Sequence, residues 1–463
     1  MQIEEVLKNI KGIALNSKEV KEGYLFVAIK GRQYDGHNFV SEALERGASL
    51  VLAERCEKAW DSKCVKVEDT RKALGEVANK FFGNPSEKLK VIGITGTNGK
   101  TTTTHIIESI SRAAGTRPGL MGTIYYRLGD KIYGEGRTTP DSITWHRTFM
   151  EMLKDGANVV SAEVSSHALD QYRVWGTKFF MTVFTNLTQD HLDYHGSMEE
   201  YFRAKLKLFT EYDYQHALIN IDNAYGKRIK ELLGEKALTY GKKADLSILS
   251  FDTDIEGSQI SVEFRGRRYS FYSNLVGEFQ AYNLSAGILY GFLSGMDQSA
   301  IQDGLKGIYV PGRFQVHKGR GITVVVDYAH TPDALENLIR TIRKMAKGRV
   351  ISVFGAGGNR DRSKRPLMGK AAERWSHLIV LTSDNPRDEE PSEIIGEVYK
   401  GIEDKSKVYV EEDRRKAIKL AIDMAKYGDI VVVAGKGHET YQEIKGKRYP
   451  FVDSDVVKEV LSA

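Results

Sequence analysis

Apolar positions in this chain fall into short, nearly continuous runs separated by longer stretches in which they recur every three or four residues. The runs predict strands and the periodic stretches predict helices. Near the start, strands are expected at 24–29 and 49–53 around a helix at 38–46 that Gly47 ends. Further runs at 91–94, 158–163, 181–186 and 217–222 are continuous enough for parallel strands covered on both faces. Residues 247–276 instead alternate, as at 259–264, and predict an antiparallel addition. From 322 onward the pattern becomes regular: strands at 322–327, 350–354, 378–382 and 430–434, with helices such as 333–347 and 414–426 between them. That βαβ arithmetic predicts a Rossmann-like parallel sheet and an α/β protein.

A chain of 463 residues exceeds a single core, and two turn-rich points divide it. Gly83-Asn84-Pro85-Ser86-Glu87 makes a linker, and the chain turns again near Pro311 and Gly312. Three domains are therefore expected: a small α/β unit at 1–87, a central unit with a mostly parallel sheet at 88–311, and a Rossmann-like domain at 312–463. No internal repeat or low-complexity segment interrupts them. Hydrophobic content of 41% with 28% charged residues is ordinary for a globular protein. The net charge of +5 is a small difference between 67 basic and 62 acidic residues, without a long basic block, so nucleic acid is not an expected partner. No run approaches the roughly 20 apolar residues of a membrane span, and the start lacks a signal-peptide pattern. A cytoplasmic protein is expected. Its two cysteines, Cys56 and Cys64, are then expected as free thiols without a zinc site.

The chemistry concentrates where the run at 91–94 breaks at Thr95-Gly96-Thr97-Asn98-Gly99 and a helix begins at Lys100. A strand entering a helix through a glycine-rich turn offers backbone N–H groups and the positive end of the helix dipole to an anion. Lys100 would reach outer phosphates of ATP and Thr101 would hold Mg²⁺. A strict Walker pattern would need glycine where Ile94 stands, so the spacing fits the shorter loop of ATP-dependent amide ligases. Two other strand ends carry polar clusters, Glu163-Val164-Ser165-Ser166-His167 and Asn186-Leu187-Thr188-Gln189-Asp190-His191. Ligands of open α/β sheets bind beyond such carboxyl ends. Taken alone, Glu163 reads as a solvated strand-end carboxylate, His191 as a loop histidine, Lys205 as a solvated lysine on an amphipathic helix, and the polar loop 31–37 as a surface turn. The glycines Gly355, Gly357 and Gly358 follow a strand but lack a dinucleotide fingerprint.

Read together and in order, these segments resemble the Mur ligases of bacterial cell-wall synthesis, and within them the UDP-N-acetylmuramoyl-tripeptide synthetases. The resemblance spans essentially the whole chain. It is carried by the loop 96–102, Glu163 to Leu169, the segment 185–196, Tyr201-Phe202-Arg203-Ala204-Lys205, Asp327-Tyr328-Ala329-His330-Thr331-Pro332-Asp333, Asp384-Asn385-Pro386-Arg387 and Gly435-Lys436-Gly437-His438-Glu439. It implies an ATP-dependent ligase that adds an amino acid to UDP-MurNAc-L-Ala-D-Glu through an acyl phosphate, acting as a monomer. The unit at 1–87 would then be the UDP-substrate domain, 88–311 a P-loop-type ATPase domain, and 312–463 the domain that binds the incoming amino acid. Catalysis would fall to Lys100, Glu163, His191 and Lys205, and ATP to Gly96, Thr97, Asn98, Gly99, Lys100, Thr101 and Thr102, with Asn283, Arg313 and Asp327. Two Mg²⁺ sites would draw on Thr101, Glu163, His191 and Lys205, the lysine as a CO₂-derived carbamate. Leu15, Ser17, Arg32, Gln33 and Tyr34 match the uridine region, where Asn16 and Lys18 depart from the family pattern. Thr138, Thr139, Ser165, Gln171 and Arg173 match the muramoyl-peptide region. Gln280 departs near Asn283. A nucleotide site shared with the last domain implies closure on ATP.

The incoming amino acid would meet Arg360, Asp384, Asn385, Pro386, Arg387, Gly435 and Glu439. In the family this tetrad accompanies meso-diaminopimelate, and an arginine can hold a distal carboxylate bidentately where lysine offers none. Lysine addition is one alternative. A folylpolyglutamate-synthetase-like ligase would leave residues 1–87 and the tetrad unexplained. A silent ATP-binding regulator is opposed by the complete catalytic set, and a nicotinamide oxidoreductase by the missing fingerprint.

Overall fold

The computed structural model describes residues 3–8, 10–31, 34–60, 62–134 and 137–462. The chain forms two compact units, Met1–Thr95 with Gly115–Val183 and Ala204–Ala217, and Gly96–Ala114 with Phe184–Arg203 and Leu218–Ala463.

The first unit begins with a parallel sheet of four strands, Gly12–Ala14, Tyr24–Val27, Ala48–Ala53 and Cys64–Lys66, in chain order. Successive residues alternate faces. Leu25, Val27, Leu50, Leu52 and Val65 pack against helix Thr70–Phe81, while Phe26, Ala28, Val51 and Ala53 enclose a second cluster with Val40, Ala43 and Trp60. The helix expected at 38–46 is a short 3₁₀ turn, Gly36–Phe39, that passes into Val40–Glu45. Gly47 at φ +99° ends it, a conformation suited to glycine. The expected linker at 83–87 contains a one-turn helix, Pro85–Lys88, entered through Asn84 at φ +51°. The cysteine expectation is corrected: Cys56 and Cys64 form a disulfide with Cα atoms 5.9 Å apart. The edge strand opens at Cys64, and the turn before it brings Cys56 within bridging distance. A compartment argument from sequence could not anticipate that local geometry.

Beyond this sheet, Lys90–Thr95 pairs in parallel with Val159–Glu163, which pairs in parallel with Pro118–Met121. Tyr126–Leu128 and Lys131–Gly134 extend the edge antiparallel. Strands Lys178–Phe184 and Asp213–Asn220 start three and four residues before the apolar runs that announce them. Only their later residues are continuously buried, so the apolar signal under-reports the first half.

In the second unit, helix Lys100–Ala113 follows the glycine turn. Leu246–Thr253, Ser258–Phe264 and Arg267–Ser273 form the expected antiparallel meander. The last sheet has the order Gln315–Gly319, Ile322–Asp327, Ile430–Ala434, Val350–Phe354, Leu378–Leu381, Val408–Val410. Its first strand runs antiparallel to the second, so the sheet is mixed rather than all parallel. Arg320 and Gly321, at φ +52° and +73°, supply the two-residue hairpin turn that reverses the chain. The remaining strands are parallel, and both faces are covered: Val325, Val350, Phe354, Ile379 and Val432 on one side, Val324, Val326, Ile351, Val380 and Val433 on the other. Burying each such side chain contributes about 1.5–3 kcal/mol. The strand ends at 327, 354, 381 and 434 therefore open on one edge, where α/β sheets bind ligands.

Candidate functional site

The phosphate loop is held from below by the segment that follows strand Lys178–Phe184. Asn98 N–H donates to Asn186 Oδ1 at 2.9 Å, and the Asn98 carbonyl accepts from Thr185 Oγ1 at 2.7 Å and Asn186 Nδ2 at 3.1 Å. Thr97 Oγ1 bonds to the Thr188 carbonyl and lies 3.1 Å from the Tyr201 hydroxyl. Gly96 and Gly99 take φ +149° and +87°, and a Cβ on them would lie 1.9 Å from Thr185 Oγ1 and 2.4 Å from Asn283 Oδ1. Only glycine fits both the backbone and the space. Lys100 Nζ donates to the carbonyls of Gly96 and Thr97 at 2.9 and 2.8 Å, closing the loop on itself. Thr101 and Thr102 are buried in the first turn of the helix. Asn283 donates to Gln280 Oε1 at 2.9 Å, so the departure at 280 is absorbed as a hydrogen bond inside the helix Gln280–Leu293.

The carboxyl edge of the last sheet supplies further groups to the same unit. Arg313 Nη2 lies 3.4 Å from Thr101 Oγ1, with its guanidinium over the Tyr328 ring at 4.3 Å. Asp327 accepts N–H groups from Phe314 and Ala329, fixing the chain where it enters this domain, and burial raises its carboxyl. Asn98 Nδ2 donates to Asp333 Oδ2 at 3.1 Å. Lys364 Nζ lies 3.5 Å from Asp190 Oδ1, both nearly buried. Burial pushes the Asp190 carboxyl up, but His191, Lys364 and His330 more than offset this and hold it well below the usual carboxylate range. Burial, with Lys364 nearby, pushes His330 down to about 4. Burial, with Arg313 nearby, pushes His438 down to about 3, and its buried Nδ1 has no hydrogen-bond partner among the described residues. His191, at φ +53°, keeps Nε2 3.4 Å from Asp190 Oδ2.

Five of the expected sugar-peptide contacts and Glu163 form one network in the first unit. Glu163, 1% exposed, accepts from Thr123 N–H at 2.8 Å and Thr123 Oγ1 at 3.1 Å. Thr123 Oγ1 is 3.0 Å from Thr138 Oγ1, and Thr139 Oγ1 bonds the Glu163 carbonyl at 2.7 Å while accepting Ser165 N–H. Arg173 donates to the Thr139 carbonyl at 2.9 Å and to Gln171 Oε1. Ser165 caps the helix Ser166–Asp170. In the same unit Lys205 is 1% exposed, whereas Lys207 reaches an ion pair with Asp170 at 3.5 Å. Burial removes the solvated reading of Lys205.

In the uridine region Ser17 donates to Glu42 Oε2 at 2.8 Å, and Asn16 caps its own turn by accepting Lys18 N–H. That gives the departing Asn16 a local role. Leu15 packs beside the sheet core and Tyr34 is 72% exposed. Arg32 and Gln33 lie outside the described residues. Just beyond Tyr34, Asp35 and His37 are tied to strand-end residues. His37 Nδ1 meets Asp35 Oδ1 at 2.6 Å, its Nε2 accepts Glu54 N–H, and Asp35 also pairs with Arg55.

At the amino-acid end, Asn385 Nδ2 and Lys436 Nζ both donate to Glu439 Oε2 at 2.8 Å, and Asn385 Oδ1 accepts from Lys436 Nζ and Glu443 N–H. Burial and the neighbouring Asp384 raise the Glu439 carboxyl, opposed by Lys436 and Asn385. Arg387, at φ +53°, donates to the Gly358 carbonyl at 2.7 Å and faces Glu443 Oε2 at 3.5 Å. Gly358 N–H returns a bond to the Asn385 carbonyl, and a Cβ there would sit 1.8 Å from the Pro386 carbonyl. A Cβ on Gly357 would lie 3.1 Å from Arg387 Nη1 and 3.6 Å from Arg360 Cγ. The glycine cluster thus serves close approach to the tetrad. Gly435 takes φ +117°, and a Cβ on it would lie 2.5 Å from Asp384 Oδ2.

Sequence reasoning gave no role to Thr123, Asn186, Asp190, His330, Lys364 or Lys436. Asn186, Asp190, His330 and Lys436 sit within quoted motifs, so position alone could have flagged them. Thr123 and Lys364 belong to no quoted motif and emerge only from the fold. Among the described residues no group of three or more His, Cys, Asp or Glu side chains forms a ready-made metal site, and no helix is long and apolar enough to cross a membrane.

Comparison with known proteins matches residues 9–82 to "Mur ligase family, catalytic domain", 94–291 to "Mur ligase middle domain" and 312–437 to "Mur ligase, glutamate ligase domain". The chain is 62% identical over 463 residues to a UDP-N-acetylmuramoyl-L-alanyl-D-glutamate–2,6-diaminopimelate ligase of Aquifex aeolicus (strain VF5), covering 100% of this chain and 95% of the relative. A solved structure of a ligase with that same name is 34% identical, with TM-score 0.72, covering 98% of this chain and 95% of that one. The MurF ligase from Thermotoga maritima in complex with ADP shares the fold, with TM-score 0.65 at 20% identity over 100% of this chain and 98% of the other.

Proposed function

The chain belongs to the Mur ligase family, and we propose that it uses ATP to join meso-diaminopimelate to UDP-MurNAc-L-Ala-D-Glu in peptidoglycan precursor synthesis. The tetrad Asp384 to Arg387 carries the choice of amino acid. Its arginine reaches the glycine loop, where Nη1 donates to the Gly358 carbonyl at 2.7 Å, and a guanidinium there suits the distal carboxylate of diaminopimelate.

A carboxylate does not couple to an amine until one of its oxygens becomes a leaving group. The γ-phosphoryl group of ATP passes to the free carboxylate, the amine attacks the resulting acyl phosphate, and phosphate departs. The protein's part is to gather anions and hold them, which makes charge stabilisation the main demand. Lys100 and Arg313 supply cations at the phosphates, and the loop glycines leave room for backbone donors. His438, with its unmet Nδ1, and Asn283 fit the nucleotide side; Asp327 is proposed for the ribose. A bound Mg²⁺ would neutralise phosphate charge, and the Thr101 hydroxyl and the Glu163 carboxylate are hard oxygen donors of the kind that would hold it. Lys205, as a carbamate, is proposed for a second Mg²⁺, with His191 as a further contact; its burial sets it apart from an ordinary solvated lysine. Thr138, Thr139, Ser165, Gln171 and Arg173 are assigned to the muramoyl peptide, and Leu15, Ser17, Arg32, Gln33 and Tyr34 to the uridine end. Asp384, Asn385, Pro386, Arg387, Arg360, Gly435 and Glu439 are assigned to the amino acid. Glu439 already accepts two donors through Oε2, so its part there includes orienting Asn385. Functional domains at 1–87, 88–311 and 312–463, acting as a cytoplasmic monomer, complete the reading.

Phosphate release with UDP-MurNAc-L-Ala-D-Glu and ATP tests it, offering meso-diaminopimelate, L-lysine or no amino acid. Turnover with diaminopimelate alone is expected. Preference for lysine would overturn the tetrad argument, and silence with both would overturn the ligase reading.

A further inference from the structure

Beneath the amino-acid loops lies a buried ion pair that the proposed chemistry does not use. Arg414 opens helix Arg414–Met424, and its guanidinium holds Asp453 bidentately, Nε to Oδ1 at 2.8 Å and Nη2 to Oδ2 at 2.7 Å, with both side chains fully buried. The same guanidinium reaches two backbone carbonyls, Ala434 at 3.0 Å through Nη2 and Ser383 at 3.4 Å through Nη1. Those carbonyls belong to the residues immediately before Gly435 and Asp384. They close two strands, Ile430–Ala434 and Leu378–Leu381 with its extension, that are not neighbours in the sheet, because Val350–Phe354 lies between them. One planar fork therefore ties the roots of both amino-acid loops across an intervening strand.

Two details separate this pair from an ordinary core ion pair. A cation in the first turn of a helix meets the unfavourable end of the helix dipole, so helix stability does not account for Arg414. The face that Gly435 presents is shared as well: a Cβ there would lie 2.5 Å from Asp384 Oδ2 and 4.0 Å from Arg414 Nη2. The guanidinium thus sits behind the point where Asp384 crosses Gly435. Glu412 adds a second anchor, its carbonyl accepting from Ser383 N–H and Thr382 Oγ1.

We propose that Arg414, held by Asp453, is a positioning residue for amino-acid selection, setting the spacing between the loop 384–387 and the loop 435–439. The inference rests on the assignment of those loops to the incoming amino acid. Lysine at 414 keeps the charge but cannot bridge two carbonyls and a carboxylate at once. Misplacement of a binding group by about 1 Å can cost on the order of 10²-fold.

The test compares Arg414→Lys and Asp453→Asn with the unaltered chain. Expected in both variants is a rise of about tenfold or more in KM for the amino acid, with KM for the UDP substrate within about twofold and any rise in KM for ATP, through His438 in the second loop, several times smaller than that for the amino acid. A structural role alone would lower the active fraction or the Tm and leave all three KM values in place, and that result, or a uniform rise of all three, would overturn the proposal. Amide hydrogen exchange gives a readout independent of any ligase activity. Residues 384–387 and 435–439 should lose protection together in the variants, and unchanged protection in either loop would overturn the proposal even if the ligase reading itself had failed.

Discussion

The phosphate loop and the amino-acid loops share one compact unit, yet they are built from different materials. The phosphate loop is a backbone structure. Its shape comes from glycines at positive φ and from the side chains of Thr185 and Asn186 that bond its peptide groups, with Lys100 folded onto its own carbonyls. The amino-acid end is a charge structure in which Arg387, Lys436, Glu439, Asp384 and Arg414 arrive from separate segments and balance one another. A backbone site tolerates little change in volume, whatever the charges placed around it. A charge site tolerates some change in shape and depends on each partner, because a buried ion without its partner is costly.

The sharpest way to break this contrast is Gly96→Ala. A Cβ at 96 would meet Thr185 Oγ1 at 1.9 Å, and the φ of +149° is poorly suited to alanine. Thr185 cannot turn aside without losing its bond to the Asn98 carbonyl. Loss of backbone donors to the phosphates should lower kcat/KM for ATP by on the order of 10²–10³. Binding of the amino acid should change little. Near-normal ATP use by this variant would show that the loop is not backbone-built.

Legibility followed the same division. The phosphate loop was readable because glycine geometry leaves a contiguous signature, and strands 322–327, 350–354 and 430–434 were readable because both faces are apolar. The antiparallel strand Gln315–Gly319 was not, since none of its residues is fully buried and its hairpin uses Arg320 where glycine or asparagine would signal a turn. The glycines at 355–358 follow a strand without completing a dinucleotide fingerprint; their cause, the tetrad lying against them, is a tertiary contact with no sequence period. Lys436 and Arg414 were missed for a related reason. A lysine or arginine in sequence reads as surface, and only the packing of several strand ends makes it interior. The disulfide between Cys56 and Cys64 likewise turns on the distance between two Cα atoms.

Arg387→Ala probes the charge-built side with a smaller expected effect. It removes a guanidinium that donates to Gly358 and faces Glu443. If that group also holds a distal carboxylate, the loss is about 1.5–3 kcal/mol, or roughly 10- to 100-fold in KM for diaminopimelate. KM for ATP should stay within about twofold. Equal effects on both substrates would mean that the arginine supports the unit at large and that the two ends are less separate than their construction suggests.

The two ends should also respond to pH with opposite sign, the smallest of the three effects. On the phosphate side, His330 and His438 fold as neutral imidazoles, pushed from 6.5 down to about 4 and about 3. As pH falls below about 6.5 the unfolded chain takes up protons that the folded chain refuses until those lower values, so this stability is present above 6.5 and lost on acidification. Glu439 does the reverse. Burial and Asp384 raise its carboxyl above 4.5, so the folded state keeps a proton that the unfolded state releases, and stability is lost as pH rises above about 4.5. Thermal unfolding followed from pH 4.5 to 8 in the unaltered chain, His438→Gln and Glu439→Gln separates the two. The histidine variant should show a flatter acid limb and the glutamate variant a flatter neutral limb, each by a few degrees in Tm. The shape of each curve is the readout, because Glu439→Gln also leaves Lys436 with one fewer anionic partner and lowers the whole profile. Parallel profiles for all three proteins would place the titrating groups elsewhere, and the electrostatic half of the contrast would fall while the backbone half, tested at Gly96, stood on its own.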